Sequence, residues 1–218
     1  MRSSPPSFHG LGWLVMVWAL VVGCSSSPVE IECLPGTQAE GRGPPWGRAQ
    51  VCVRLGVLGD DGKPLKHGQS LRWFANGEVR TREAYREGLL DGEWTHFFDT
   101  GQMEQRGEYA AGKKIGVWES WAESGIRLSR TEHRDGRIHG TVKLFFADGR
   151  LRGRERYRDG VRHGPSVTFH PSGQRQMAGA YSAGLKHGQW IEWRPDGSVK
   201  EVVHFAAGQR VSAPKADP

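Results

Sequence analysis

Four histidines, His67, His139, His163 and His187, each stand immediately before a glycine, and imidazoles at regular spacing are the raw material of a metal site. Such a site needs them to converge, because metal–nitrogen bonds are about 2.0–2.1 Å long. Their separations are multiples of 24 residues. In a fold of repeated two-stranded units, adjacent strands lie about 4.8 Å apart, so equivalent imidazoles in adjacent units sit about 9.6 Å apart. They cannot share an ion and read as turn residues facing solvent; neither a metal nor another cofactor is expected. Nucleophilic chemistry has no better footing. Serine, histidine and carboxylate are scattered along the chain, whereas a reaction centre usually interrupts the local pattern at one place. The chain reads as a protein that is not an enzyme.

Cationic and aromatic residues do fall into a pattern. Arg82, Arg106, Arg130 and Arg154 recur every 24 residues, and so do Trp73, Phe97, Trp121, Phe145, Phe169 and Trp193. Guanidinium groups beside aromatic faces can hold an anionic partner by charge, cation–π contact and stacking. The alternative is internal: the rings pack along a sheet and the arginine stems cover them. Residues 66–211 hold 24 Lys and Arg against 18 Asp and Glu, a difference of +6, much of it a solvated surface of mixed sign.

Glycine sets the ruler on which these residues are placed. One series runs Gly68, Gly92, Gly116, Gly140, Gly164, Gly188; a second runs from Gly77 to Gly197 and a third from Gly88 to Gly208, all at 24-residue intervals without insertion or deletion. A further aromatic row holds Tyr85, Tyr109, Tyr157, Tyr181 and Phe205, with His133 at the remaining place. Internal periods of this length mark repeat architectures. Pairs such as Asn76-Gly77 and Asp148-Gly149 separate short apolar stretches and read as tight hairpin turns, while the third series makes a longer return. Helix is disfavoured, since glycine in a helix costs about 1 kcal/mol relative to alanine. Alternation of Arg150, Arg152, Arg154 and Arg156 with Leu151, Gly153 and Glu155 is the period of a strand. Twelve strands in meander order are predicted. With 31 glycines, 37% apolar and 25% charged residues, a thick two-layered core is excluded. If the tight turn has two residues, strand parity puts the arginine ladder on the same face as the Trp73 row; a three-residue turn reverses it.

Phrases such as Asp159-Gly160-Val161-Arg162-His163-Gly164 and Gly92-Glu93-Trp94-Thr95-His96-Phe97 resemble MORN-type repeats, and more closely the bacterial variant of the YwqK family, whose members are labelled antitoxins of toxin–antitoxin systems. The resemblance covers residues 66–211. It implies an all-β fold, an open twisted single-layer antiparallel meander sheet of six 24-residue hairpin repeats, used as an interaction module or membrane-surface adaptor. The bound partner it implies is a protein, a toxin among the candidates. The third unit departs from the pattern at Ala122 and His133, and the fifth at Pro165 and Ser166.

Residues 1–23 read as a signal peptide, with Arg2 ahead of a 13-residue apolar run, short of the roughly 20 that a membrane span needs. The ending Val21-Val22-Gly23-Cys24 resembles a lipobox, although Val21 stands where leucine is usual, and it implies lipidation at Cys24. Ser25 resembles the residue that follows this cysteine in lipoproteins passed to an outer membrane, so a lipid-anchored place in the cell envelope is expected. There nucleic acid is a poor partner. Residues 24–65 read as a tether and degenerate cap. Cys33 and Cys52 form an even pair for a disulfide, with free thiols as the alternative. Residues 212–218 read as a frayed tail. Two functions follow: a repeat scaffold that binds a protein through one sheet face, or an adaptor whose basic and aromatic stripe lies on anionic lipid or glycan.

Overall fold

In the computed structural model, which describes residues 31–45 and 47–212, the chain is all-β, with no helix among the described residues. One antiparallel sheet of sixteen strands runs in chain order as an open meander. It begins with Thr37–Arg42 (β1) and Ala49–Leu58 (β2), upstream of the repeats. The repeats supply Pro64–Trp73 (β3), Val79–Arg86 (β4), Leu89–Leu90 (β5), Gly92–Phe97 (β6), Met103–Ala110 (β7) and Lys113–Trp121 (β8). They continue with Arg127–Arg134 (β9), Arg137–Phe145 (β10), Leu151–Arg158 (β11), Val161–Phe169 (β12), Arg175–Ser182 (β13), Leu185–Trp193 (β14) and Val199–Ala206 (β15). Gln209–Val211 (β16) closes the sheet. The expected twelve strands are thus joined by β1, β2 and β16, and β5 is a fragment cut from β6 at Asp91.

The two turns of each unit exchange the lengths assigned to them from sequence. Arg86 pairs with Leu89, so Glu87-Gly88 is a two-residue turn, with φ of 48° and 79°. Positive φ at both central residues is the primed geometry that matches strand twist. By contrast, Gly77 N–H bonds to Phe74 O at 3.2 Å and Phe74 N–H to Glu78 O at 2.8 Å. Those bonds close a three-residue loop, Ala75-Asn76-Gly77, in which Gly77 takes the left-handed conformation after a type I turn. The short turns also tie one unit to another: Gly88 N–H reaches Lys66 O at 2.9 Å, and Gly136 N–H reaches Lys114 O at 2.9 Å.

Burial is thin, as expected for one layer. Its densest part lies at the N-terminal end, where Ile31 and Cys33 pack with Cys52, Leu71, Trp73 and Val79. Cys33 and Cys52 are bonded, with 5.6 Å between their Cα atoms. Residues 24–65 therefore include a covalently stapled, two-stranded extension of the sheet. Cys24, the signal segment and residues 213–218 lie outside the described residues.

Candidate functional site

The three-residue loop by itself would place Arg82 across the sheet from Trp73. A one-residue register shift between Arg72 and Trp73 cancels that inversion, so Leu71 pairs with Arg82 and both share the face of Trp73. The same shift recurs in each unit, for example between Ser120 and Trp121. Contacts agree with this parity. The Arg82 guanidinium lies 5.6 Å from the Phe97 ring centre, and that of Arg106 lies 5.4 Å from Trp121.

On this face a continuous line of directly paired residues crosses the sheet. Arg82 faces Thr95, Thr95 faces Arg106, Arg106 faces Glu119, and Glu119 faces Arg130. Lys143 stands between Arg130 and Arg154. From there the line turns apolar: Arg154 faces Val167, followed by Ala178, Ile191 and Val202. Alongside run Phe97, Trp121, Phe145, Phe169 and Trp193. Two recesses open on this face. One, of about 610 Å³, is lined by Leu71, Arg82, Thr95, Phe97 and Met103. The other, of about 320 Å³, lies where Arg154 meets Val167, Phe169 and Ala178.

The charges along this line are unevenly balanced. Glu119, with a side chain 8% exposed, accepts hydrogen bonds from Arg106 Nη2 at 2.8 Å and Nε at 3.1 Å, and Arg127 Nε is 3.4 Å away. Arg130 reaches Glu132 at 3.2 Å. Lys143 and Arg154 have no carboxylate within ion-pair distance among the described residues. Like charges directly opposed on adjacent strands destabilise a sheet. Arg130, Lys143 and Arg154 are therefore a cationic run that the fold leaves largely uncompensated.

Trp73 drops out of the candidate row, because its indole is 5% exposed beneath Ile31 and Cys52 and against Gly43. Two of the four histidines act as turn caps. His67 Nδ1 accepts from Glu87 N–H at 3.4 Å, and His139 Nδ1 accepts from Asp159 N–H at 3.3 Å. The Arg134 guanidinium, 3.0 Å from Asp159 Oδ1, holds that carboxyl below its ordinary range.

The opposite face carries a second cation–aromatic system, built on the tyrosine row, whose tryptophans and lysines sequence reasoning missed. Trp118, 3% exposed, is surrounded by Trp94 at 5.4 Å, Tyr109 at 5.0 Å and His133 at 6.1 Å between ring centres. Lys114 Nζ lies 3.8 Å over that indole, and burial pulls its pKa down. Trp190 is placed alike: Tyr181 is 5.0 Å away, Lys186 Nζ is 4.4 Å away, and the indole N–H donates to Ala180 O at 3.1 Å. Each indole occupies the space above a glycine, Gly107 or Gly179, where a Cβ would approach ring atoms to 2.2 Å. A signal was present in the chain. Gly107 and Gly179 fall outside the three glycine series yet hold one position of their units, each followed eleven residues later by tryptophan.

Comparisons with known proteins bear on the repeat. A family model for a MORN repeat variant matches residues 90–111, which run from the end of β5 through β6 and β7 into the following turn. A comparison with curated proteins finds no match. Among solved structures, "Crystal structure of GtfA/B complex bound to UDP and GlcNAc" aligns with 69% of this chain at 11% identity and a TM-score of 0.21. This chain spans 25% of that one, and at so low a score the likeness carries no argument.

Proposed function

We propose that the chain is a non-catalytic scaffold that binds a protein partner through the sheet face bearing Arg106, Trp121, Arg130, Phe145 and Arg154. One observation carries this reading: a single layer offers an open face on which arginines stack on ring faces beside a cationic run that the fold does not neutralise. MORN repeat proteins are generally scaffolds of this kind. The signal segment and Cys24 support a lipid-anchored place in the cell envelope, in the outer membrane where the cell has one. The YwqK resemblance supports a partner that is a toxin, neutralised by being held on the sheet. A toxin that acts on or enters through the envelope suits that location.

The test is a photoreactive phenylalanine analogue at Leu144 or at Lys143, on opposite faces, in cells that carry the native envelope. A discrete crosslinked protein is expected from position 143 and not from 144. Trp121→Ala and Phe145→Ala should each remove it while circular dichroism stays that of a sheet. Equal crosslinking from both faces, or loss only with unfolding, would overturn the reading. Labelling of anionic lipid alone from position 143 would favour the membrane-adaptor function instead.

A further inference from the structure

We infer that the face takes a polypeptide segment in two zones: an acidic stretch along Arg130, Lys143 and Arg154, and an apolar stretch along Val167, Ala178, Ile191 and Val202. The inference rests on the proposed function and specifies its ligand. Two features define the zones. The first is register, since these seven residues are cross-strand neighbours in unbroken succession from β9 to β15. Neighbouring strands lie about 4.8 Å apart, so the six steps span roughly 29 Å. The second is the recess of about 320 Å³, which opens at the change from cation to hydrocarbon.

Charge complementarity selects an anion for the first zone. Of the carboxylates beside these three cations, Glu132 pairs with Arg130, and Glu119, which faces Arg130, is already held by Arg106 and Arg127; Lys143 between two arginines raises the energy of the free sheet, and a ligand supplying carboxylates removes that repulsion. The second zone selects against a simple polyanion. Val202 is 46% exposed and Val199 51% exposed, and an anionic glycan, which can stack on rings, has no aliphatic side chains to bury against these valines. Shape selects against a bilayer. Neighbouring strands of L-residues twist by roughly 20–25°, so side-chain directions turn by about 40–50° from Arg130 to Arg154 and by about 120–150° from Arg130 to Val202. A planar surface cannot meet both zones. A flexible chain that wraps around the sheet can, and a segment with acidic and apolar blocks matches their order.

Fluorescence anisotropy of the full chain tests this with four probes: a labelled peptide with a Glu/Asp block joined to a Leu/Val block, in both orders; a peptide of the same composition interleaved; an all-Glu peptide; and vesicles of phosphatidylglycerol in phosphatidylcholine. One block order should bind about tenfold or more tighter than the interleaved peptide. Lys143→Glu should weaken it by about tenfold, whereas Ile191→Thr should weaken the block peptide several-fold and leave the all-Glu peptide unchanged. Lys143→Glu should also raise Tm, because it turns two repulsive pairs into attractive ones, which separates loss of binding from loss of fold. Equal affinity for block and interleaved peptides would overturn the inference, as would a Lys143-dependent preference for vesicles over every peptide. If no peptide binds while position 143 still crosslinks a protein, the two-zone ligand is wrong and the scaffold reading stands. If crosslinking fails as well, both fall.

Discussion

A Cβ added at Gly107 would lie 2.2 Å from the Trp118 ring, and one at Gly179 equally close to Trp190. The backbone at Gly107 is ordinary strand, so Gly107→Ala isolates packing from strain: the indole must leave its place among Trp94, Tyr109 and Lys114. A loss of about 1–3 kcal/mol is expected in denaturant unfolding, with a red-shifted tryptophan emission. At Lys143 the expected sign is opposite. Lys143→Glu pairs with Arg130 and Arg154 across the ladder and should add about 0.2–1 kcal/mol for each pair in the same measurement. A third residue-scale effect belongs to the short turns. Ala111, Ala183 and Ala207 occupy φ of 46°, 49° and 47°, which suits asparagine better than alanine. Ala183→Asn should stabilise the sheet by roughly 0.5–1 kcal/mol, read as a higher melting temperature.

Strand positions were legible because glycine and aromatic residues keep a fixed interval; turn lengths were not. Asn76-Gly77 looks like a two-residue primed turn, yet only Gly77 of that pair takes positive φ. Two of the six true two-residue turns, Asp135-Gly136 and Asp159-Gly160, do carry a primed-turn pair, but the other four stand on Glu87, Ala111, Ala183 or Ala207, which are poor at that conformation and are held in it where Gly88 and Gly112 N–H groups bond to neighbouring strands. Loop length and register shift were each invisible, and their cancellation left the arginines on the inferred face. The tyrosine row of the second face was legible, but its tryptophans were missed because Trp94, Trp118 and Trp190 share their position in the unit with Val142 and Ser166 and so break the ruler. The longer loops also carry a pH response. Asp148 accepts from Arg150 N–H at 2.9 Å and from its guanidinium at 2.7 Å, and Asp196 accepts from Ser198 N–H at 2.8 Å. These bonds hold both carboxyls below their ordinary value of 3.8. A carboxyl depressed on folding stabilises above its unfolded pKa and loses that contribution as pH falls through the folded one. The gap in melting temperature between the native protein and Asp148→Ala should therefore be full near neutrality and close as pH drops below 3.8.

The whole molecule is a one-dimensional stack in which each strand meets only its neighbours, so its stability approximates a sum of unit and interface contributions. Removing 24 residues within the array should preserve register and give a shorter folded sheet, whereas removing twelve should not; circular dichroism and proteolysis distinguish the two. The ends are unequal. Cys33–Cys52 fastens Ile31 over Trp73 at the first end, and its loss should cost about 2–4 kcal/mol there and expose Trp73 to a collisional quencher.

At the far end, β16 pairs with only His204, Phe205 and Ala206 of β15, and among the described residues the rest of that strand has no further partner on this side. Mechanical load applied at Val211 would thus enter through the weakest seam and travel toward the sulfur bridge, peeling hairpins one after another. Each rupture would release 24 residues, roughly 80 Å of contour at about 3.4 Å per residue, a sawtooth whose last tooth is the covalently fastened one. A sheet built this way yields gradually, keeping its disulfide-fastened hairpins folded after the far ones have let go.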